Sequence, residues 1–465
     1  MDHPHRPSNL RNRLSHVRYP LFHLPHKNVT DLHLGVAKNN VTLVVGRAIQ
    51  GIGASGLQNG TYTIVGVVLP RRMRPGFTGI LGAMFGITCV IGPLLGGALT
   101  DNVTWRWCFY INLPLGGAVA LTLLLSMKTP KRDSPRKGMS WKEIALQMDP
   151  LGVAFLVSAT VCMLLALQWG GIEKEWNSGA VIGCIVAFAI LFTLFILDQH
   201  FMKERASYPF RILKGRNVAV SVVWNLMYLP RLQAKLISSV GGAFILHMYL
   251  LPLYFQSVRG ASPISSGLRL LPLILAMTVT SMGAAAFITA KGMPMYIMLA
   301  GALMSTVGSG LVYTFNIDTP FANWVGYLVL LGLGYGFTLQ LAIIVGQASS
   351  KLEDIAVTTA AINFTQTYGG AIAVAVAQSI FSNKLIAGVL QQVPGVSPGT
   401  VINAGATSLR DSVTAEQFTL ILRIFTDSLK DAFVLPIALA GVGVFLSLLL
   451  TKEMRTPGGM KMPAL

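Results

Sequence analysis

Two glycine-laden apolar segments constrain this chain more than anything else in it, because each holds something a lipid-facing helix should not hold. The first, VTLVVGRAIQGIGASGLQNG from Val41, places Arg47 and Gln50 inside a run long enough to span a bilayer. The second, GILGAMFGITCVIGPLLGGAL at 79–99, places Pro93 in mid-helix among Gly79, Gly82, Gly86, Gly92, Gly96 and Gly97. A charge at membrane depth costs roughly 3 kcal/mol or more, so it persists where it faces a protein interior or an aqueous path. The pattern implies a pathway through the membrane rather than an anchor in it.

Composition supports a membrane fold throughout. With 53% hydrophobic and 12% charged residues and a mean hydropathy of +0.60, the chain is too apolar for a soluble globule. Apolar runs at 41–69, 77–99, 106–127, 149–169, 179–198, 237–257, 266–290, 294–315, 321–347, 355–382 and 432–451 are separated by short loops. They predict about eleven crossings, each near the roughly 20 residues a helix needs. None shows the alternation of a membrane barrel. The expected fold class is all-α, a polytopic helical membrane protein.

Charge sets the orientation. Arg71, Arg72 and Arg74, the stretch KTPKRDSPRKG at 128–138, the basic residues from Lys203 to Arg216, Lys291, Lys452 and Arg455 fall on one side if the spans alternate. The turns at 101–104 and 170–178 fall on the other. The excess of Lys and Arg places the first set in the cytoplasm, so the span at 41–69 runs from outside to inside. These loops and the N-terminus account for most of the net charge of +18. With no soluble face to hold interleaved basic and aromatic residues, nucleic acid is excluded as a partner, and anionic lipid of the bilayer is the expected one.

Cys89, Cys108, Cys162 and Cys184 all lie in apolar spans and form no CxxC pair, so they read as small packing residues. Residues 1–34 are polar and hold six of the eight histidines. Their irregular spacing, broken by prolines, favours a disordered tail, or a stretch that is not native coding sequence, over a metal site. No metal or other cofactor is expected. Outside the tail only His200 and His247 occur, too few for histidine-box chemistry, and His247 reads as a satisfied packing histidine. There is no P-loop, so neither an enzyme nor an ATP-driven pump is expected.

At these motifs the chain resembles a known family. GRAIQGIGASG at 46–56, GITCVIGPLLGGAL at 86–99 and WRWCFYINLPLGG at 105–117 are similar to the fourth, fifth and sixth helices of the fourteen-helix drug:proton antiporters of the major facilitator superfamily, particularly fungal efflux pumps. LPLYFQSVRGASPISSGLRLLP at 251–272 resembles that family's ninth-to-tenth helix junction, and NFTQTYGGAIAVAVAQSIF at 363–381 its thirteenth helix. The resemblance implies a secondary active transporter of the major facilitator fold that expels drugs, toxins or secondary metabolites in exchange for protons. It implies a plasma-membrane or vacuolar location and action as a monomer.

The resemblance implies a proton-coupling role for Arg47, with Gln50 one turn along to orient it. Read physically, the guanidinium favours the charged form of a nearby carboxyl or attracts an anionic group. A structural arginine bonded to carbonyls of neighbouring helices is the other reading. The family's antiporter motif matches at Gly86, Gly92, Pro93, Gly96 and Gly97. Glycines four apart, Gly82/Gly86 and Gly92/Gly96, predict close approach of another backbone, and Pro93 predicts a bend. Gln340, Asn363, Gln366 and Tyr368 are candidates for the substrate cavity, with Gln347, Tyr249 and Tyr254 beside them, although the same residues also serve to bond helix to helix.

Two departures from the family's pattern stand out. The three helices and the GxLxDRxGR-type loop that precede this point in the family are not matched, so the fold is expected to be N-terminally incomplete, with no first-helix carboxyl to pair with Arg47. WNLMYLPRLQAKLISS at 224–239 interrupts the ninth helix, with Pro230, Arg231 and Lys235 where a span should continue; an intronic insertion and an amphipathic cytosolic segment are the two explanations. The expected organisation is a tail at 1–34, the rest of an N-terminal bundle at 35–127, a basic loop at 128–148, an extra central helix pair at 149–201, a C-terminal bundle at 202–455 with a long outer loop at 383–430, and a tail at 456–465. The alternatives to efflux are a transport-inactive membrane scaffold and a transporter of siderophores or basic amino acids.

Overall fold

The computed structural model describes residues 36, 39–70, 73–126, 149–202, 240–291, 293–351, 354–397, 399, 401 and 414–448. The expectations for 1–34, 128–148, 224–239 and 456–465 lie outside the described residues. Every named element is helical, and the all-α membrane fold is present. Seven helices among the described residues are long and apolar enough to cross a bilayer.

Helices α1 (Asn40–Val68) and α2 (Arg74–Asn102) are 29 residues each. Asn39 caps α1, its side chain accepting from the Thr42 amide at 2.9 Å, which satisfies one of the orphan N–H groups of the first turn. The run at 106–127 divides into α3 (Trp107–Tyr110) and α4 (Asn112–Ser126), with Ile111 between them in helical φ/ψ.

Helices α5 (Pro150–Trp169) and α6 (Gly179–Met202) form an antiparallel hairpin at the place of the expected central pair. At its basic-loop end the buried Asp149 carboxylate accepts from the Gly152 amide at 3.0 Å and from Gln199 Nε2 at 2.6 Å, capping one helix against the end of the other. At the opposite end Asn383 Nδ2 donates to the Gly170 carbonyl at 3.1 Å. Both helices otherwise expose Val, Ile and Leu side chains, as a lipid-facing pair should.

The C-terminal bundle runs through α7 (Val240–Leu253), a π-helical turn (Tyr254–Val258), α8 (Pro263–Arg269), α9 (Leu271–Lys291), α10 (Pro294–Tyr313), α11 (Phe321–Thr338), α12 (Leu341–Ser349), α13 (Ile355–Gln392) and α14 (Ala415–Leu448). The π turn follows Pro252, which lacks the amide that would continue the α-helical ladder. Leu246, Leu250, Phe255, Leu273, Leu328, Leu331, Tyr335 and Phe433 form the centre of its core, all buried.

The long outer loop expected at 383–430 is corrected: α13 continues to Gln392 and α14 begins at Ala415. Lys384, Arg423, Asp427, Lys430 and Asp431 make these stretches too polar to register as spans. They are helical because the two stretches pack against each other. Lys384 meets Asp431 at 3.2 Å, Phe381 meets Phe425 edge-on at 4.9 Å between ring centres, and Ile421 and Ile424 are buried.

Candidate functional site

Arg47 lies on the seventh residue-step of α1, about 10 Å along the helix from its start. Its Nη1 donates to Gln50 Oε1 at 2.7 Å, so the pairing read from their three-residue spacing is present. The guanidinium is exposed and Gln50 is half-buried. A cation held in one orientation on an otherwise apolar face is what this arrangement offers.

Helix α2 packs along α9 and α8 through one glycine face. A Cβ at Gly79 would stand 2.6 Å from Ala285 Cβ, one at Gly82 would stand 2.6 Å from Ser281 Oγ, and one at Gly97 would stand 2.8 Å from Ile264 Cγ1. A Cβ at Gly86 would collide with Thr278 Oγ1. At 100° per residue these four glycines fall within about 60° of one another. Gly92 and Gly96 point about 100° away, and no described heavy atom lies within 4 Å of a Cβ built on either. The expected close approach at Gly92/Gly96 is therefore corrected, because the six-residue step from Gly86 to Gly92 turns the helix about 600° and leaves the second pair off the contact face. Position 93 continues the helix, and the Pro93 side chain lies outside the described set.

The second contact between the N-terminal helices and the C-terminal bundle is a polar seam. Tyr62 Oη donates to Gln340 Oε1 at 3.1 Å, Asn363 Nδ2 donates to Asn59 Oδ1 at 2.8 Å, and Gln347 Nε2 donates to the Tyr62 carbonyl at 3.1 Å and to Thr359 Oγ1 at 3.0 Å. Asn59 and Tyr62 are three apart on α1 and so share a face. Gly66, one turn further, permits the approach: a Cβ there would lie 2.6 Å from Ile355 Cγ2. Gln340 sits at the break between α11 and α12. Its stem also lies against Gly82, where an added Cβ would be 2.8 Å from Gln340 Cγ, so the seam and the glycine face meet at this residue. Among the described residues, the three bonds from α1 to the bundle lie in the half of α1 nearest the basic-loop end.

The candidates for a substrate cavity are thus divided. Gln340 and Asn363 belong to the seam, as does Gln347. Tyr368 instead stacks on Phe364, 5.3 Å between ring centres, and receives a bond from Thr160 on α5 at 3.4 Å. Gln366 is half-buried on α13. Tyr249 bonds to Gln378, and Tyr254 donates to the Asn316 carbonyl at 2.7 Å. Asn59 and Tyr62 are the residues the sequence reading missed. Their signal was an amide and a phenol three apart in a span already marked by Arg47.

Residues 32–374 match the Major Facilitator Superfamily. An MFS-type efflux pump, MFS1, of Arthroderma benhamiae is 38% identical over 410 residues, which are 88% of this chain and 74% of that protein. The efflux pump aflT of Aspergillus parasiticus is 36% identical over 406 residues, 87% of this chain and 76% of that one. The efflux pump roqT of Penicillium rubens is 37% identical over 414 residues, 89% and 74% respectively. Among solved structures, that of the human organic anion transporter MFSD10 (TETRAN) superposes with a TM-score of 0.52 at 13% identity, covering 93% of this chain and 80% of that one. At that identity the likeness concerns the fold.

Proposed function

The chain belongs to the Major Facilitator Superfamily, and on that premise we propose that this transmembrane transporter expels small organic compounds of the drug or secondary-metabolite class in exchange for protons. The observation that carries the reading is the seam of Asn59, Tyr62, Gln340, Gln347 and Asn363, confined to one half of α1, beside relatives whose names are efflux pumps. With the basic loops in the cytoplasm, the seam closes the cytoplasmic side, while the half of α1 that bears Arg47 is left uncovered by it. That is the arrangement of a carrier discharging outward.

The seam is built for reversal. Its bonds join neutral amides, a phenol and a carbonyl, and interhelical bonds of this kind average about 0.6 kcal/mol in membranes. A few of them hold one state without trapping it, as alternation between two bundles around a midplane site demands. Arg47 supplies the coupling charge, held by Gln50, and attracts an anionic group on substrate or protein according to which side is open. The protein acts as a monomer in the plasma membrane.

The test is ethidium transport by the full chain in inside-out vesicles. An acid-inside gradient should drive ethidium accumulation, and collapsing the gradient with nigericin should release it. Accumulation indifferent to the gradient would remove proton exchange from the reading.

A further inference from the structure

His247 lies near the middle of the span formed by α7 and its π turn, with no exposed surface. It fits the role of a satisfied packing residue on one ring nitrogen only. Nδ1 lies 2.9 Å from the Ala243 carbonyl and 2.8 Å from the Tyr335 hydroxyl. The carbonyl can only accept, so this environment assigns the proton of the neutral ring to Nδ1. Nε2 is then a bare lone pair, buried and without a hydrogen-bond partner. Buried polar atoms are nearly always satisfied, and an exception calls for a physical reason.

The surroundings describe a place for a proton that arrives and leaves. Phe433 of α14 lies 6.0 Å from the imidazole, ring centre to ring centre, inclined by 30°, and the Tyr335 ring lies at 5.9 Å. An aromatic face and a carbonyl oxygen are the groups here that offset part of the cost of charging a buried ring. Tyr335 is the titratable group of α11 that faces it. On α7 and its π turn, Tyr249 is engaged with Gln378 and Tyr254 with the Asn316 carbonyl. On α14, Lys430 reaches Asn316 and Asp427, and Asp431 pairs with Lys384. No ion pair among the described residues therefore holds an imidazolium permanently at this position.

We propose that His247 is a proton-binding site of the transport cycle, taking its proton at Nε2, with Tyr335 as the positioning residue that fixes the ring. In the conformation described, packing seals Nε2 from both sides, so a proton reaches it only when the helices of the C-terminal bundle separate. A site that exchanges protons only during the rearrangement exchanges them without a leak. Intramembrane ionisable groups in protein interiors are used in this way. The proposal rests on the reading of proton-coupled efflux and adds the group that carries the proton.

Two measurements on the full chain test it. Purified wild type should take up more protons per molecule than His247→Gln when acidified from about pH 8 to about pH 3, an interval that reaches below the ordinary imidazole range because charging a buried ring costs free energy; equal uptake overturns the proposal. In inside-out vesicles, ethidium accumulation driven by an acid interior should fall about tenfold or more in His247→Gln, the scale of a coupling free energy, while downhill ethidium movement falls much less. Full gradient-driven accumulation in that variant overturns the role of His247 and leaves proton-coupled efflux standing, whereas a wild type indifferent to the gradient sinks both. Should His247→Gln fail to insert, Tyr335→Phe keeps the ring volume and removes the hydroxyl. It should displace the pH profile of efflux by about half a unit, the equivalent of one modest hydrogen bond. An unmoved profile overturns the proposal.

Discussion

At the scale of single residues, the behaviour of Arg47 separates two uses of a positive charge. The Gln50 oxygen accepts one guanidinium N–H, which leaves the rest of a planar fork for another partner. A lysine ammonium keeps the charge as a compact point but lacks the fork and its fixed geometry. Arg47→Lys in a transport-competent protein should therefore insert and express normally yet lose gradient-driven ethidium accumulation about tenfold or more, a coupling-sized effect. If Arg47→Lys and Arg47→Ala both accumulate ethidium as wild type does, the charge serves packing alone. A loss of expression in either variant would identify a folding role instead.

At the scale of helices, the glycine face of α2 makes a sharper demand than glycine content does. Gly79, Gly82, Gly86 and Gly97 lie where α9 and α8 leave no room for a Cβ, and Gly92 and Gly96 lie where no described residue fills the space. Overpacking a tight contact costs about 1–3 kcal/mol. Gly82→Val should thus lower the thermal midpoint of the detergent-solubilised protein and abolish transport, whereas Gly96→Ala should leave the midpoint unchanged. Transport lost in a stable Gly96→Ala variant would show that the motif acts on direction rather than packing. Most crossings were legible because hydropathy averages over a whole span, and the Arg47–Gln50 bond was legible because both residues sit on one turn. The interruptions at Ile111 and at 339–340 were not, since a run that stays apolar through one or two residues outside the regular hydrogen-bond ladder keeps the same average. The extensions of α13 and α14 were hidden by their own polarity. The Asn59–Asn363 bond joins residues 304 positions apart, and nothing local to either points to the other.

At the scale of the whole molecule, the seam and the glycine face divide the labour between the N-terminal helices and the C-terminal bundle. The contact of α2 with α9 and, near its end, with α8 runs from Gly79 to Gly97 mainly through close packing, so it can act as an axis that stays in place while the bundles rock. The α1–α13 contact is polar and confined to one half, so it can open and close. Such a division implies that tying Asn59 to Asn363 arrests the cycle, because no alternation is possible if the seam stays shut. Cysteines at both positions, joined by a short bifunctional maleimide linked through a reducible disulfide, should stop ethidium efflux almost completely. Dithiothreitol should restore it to the level of the untreated double variant. Each single-cysteine variant treated alike should keep its activity, since losing one interhelical bond of about 0.6 kcal/mol changes a two-state population only about threefold. Continued efflux in the fully cross-linked protein would mean that Asn59 and Asn363 stay together throughout transport. The seam would then be a static joint, and the moving contact would have to lie elsewhere.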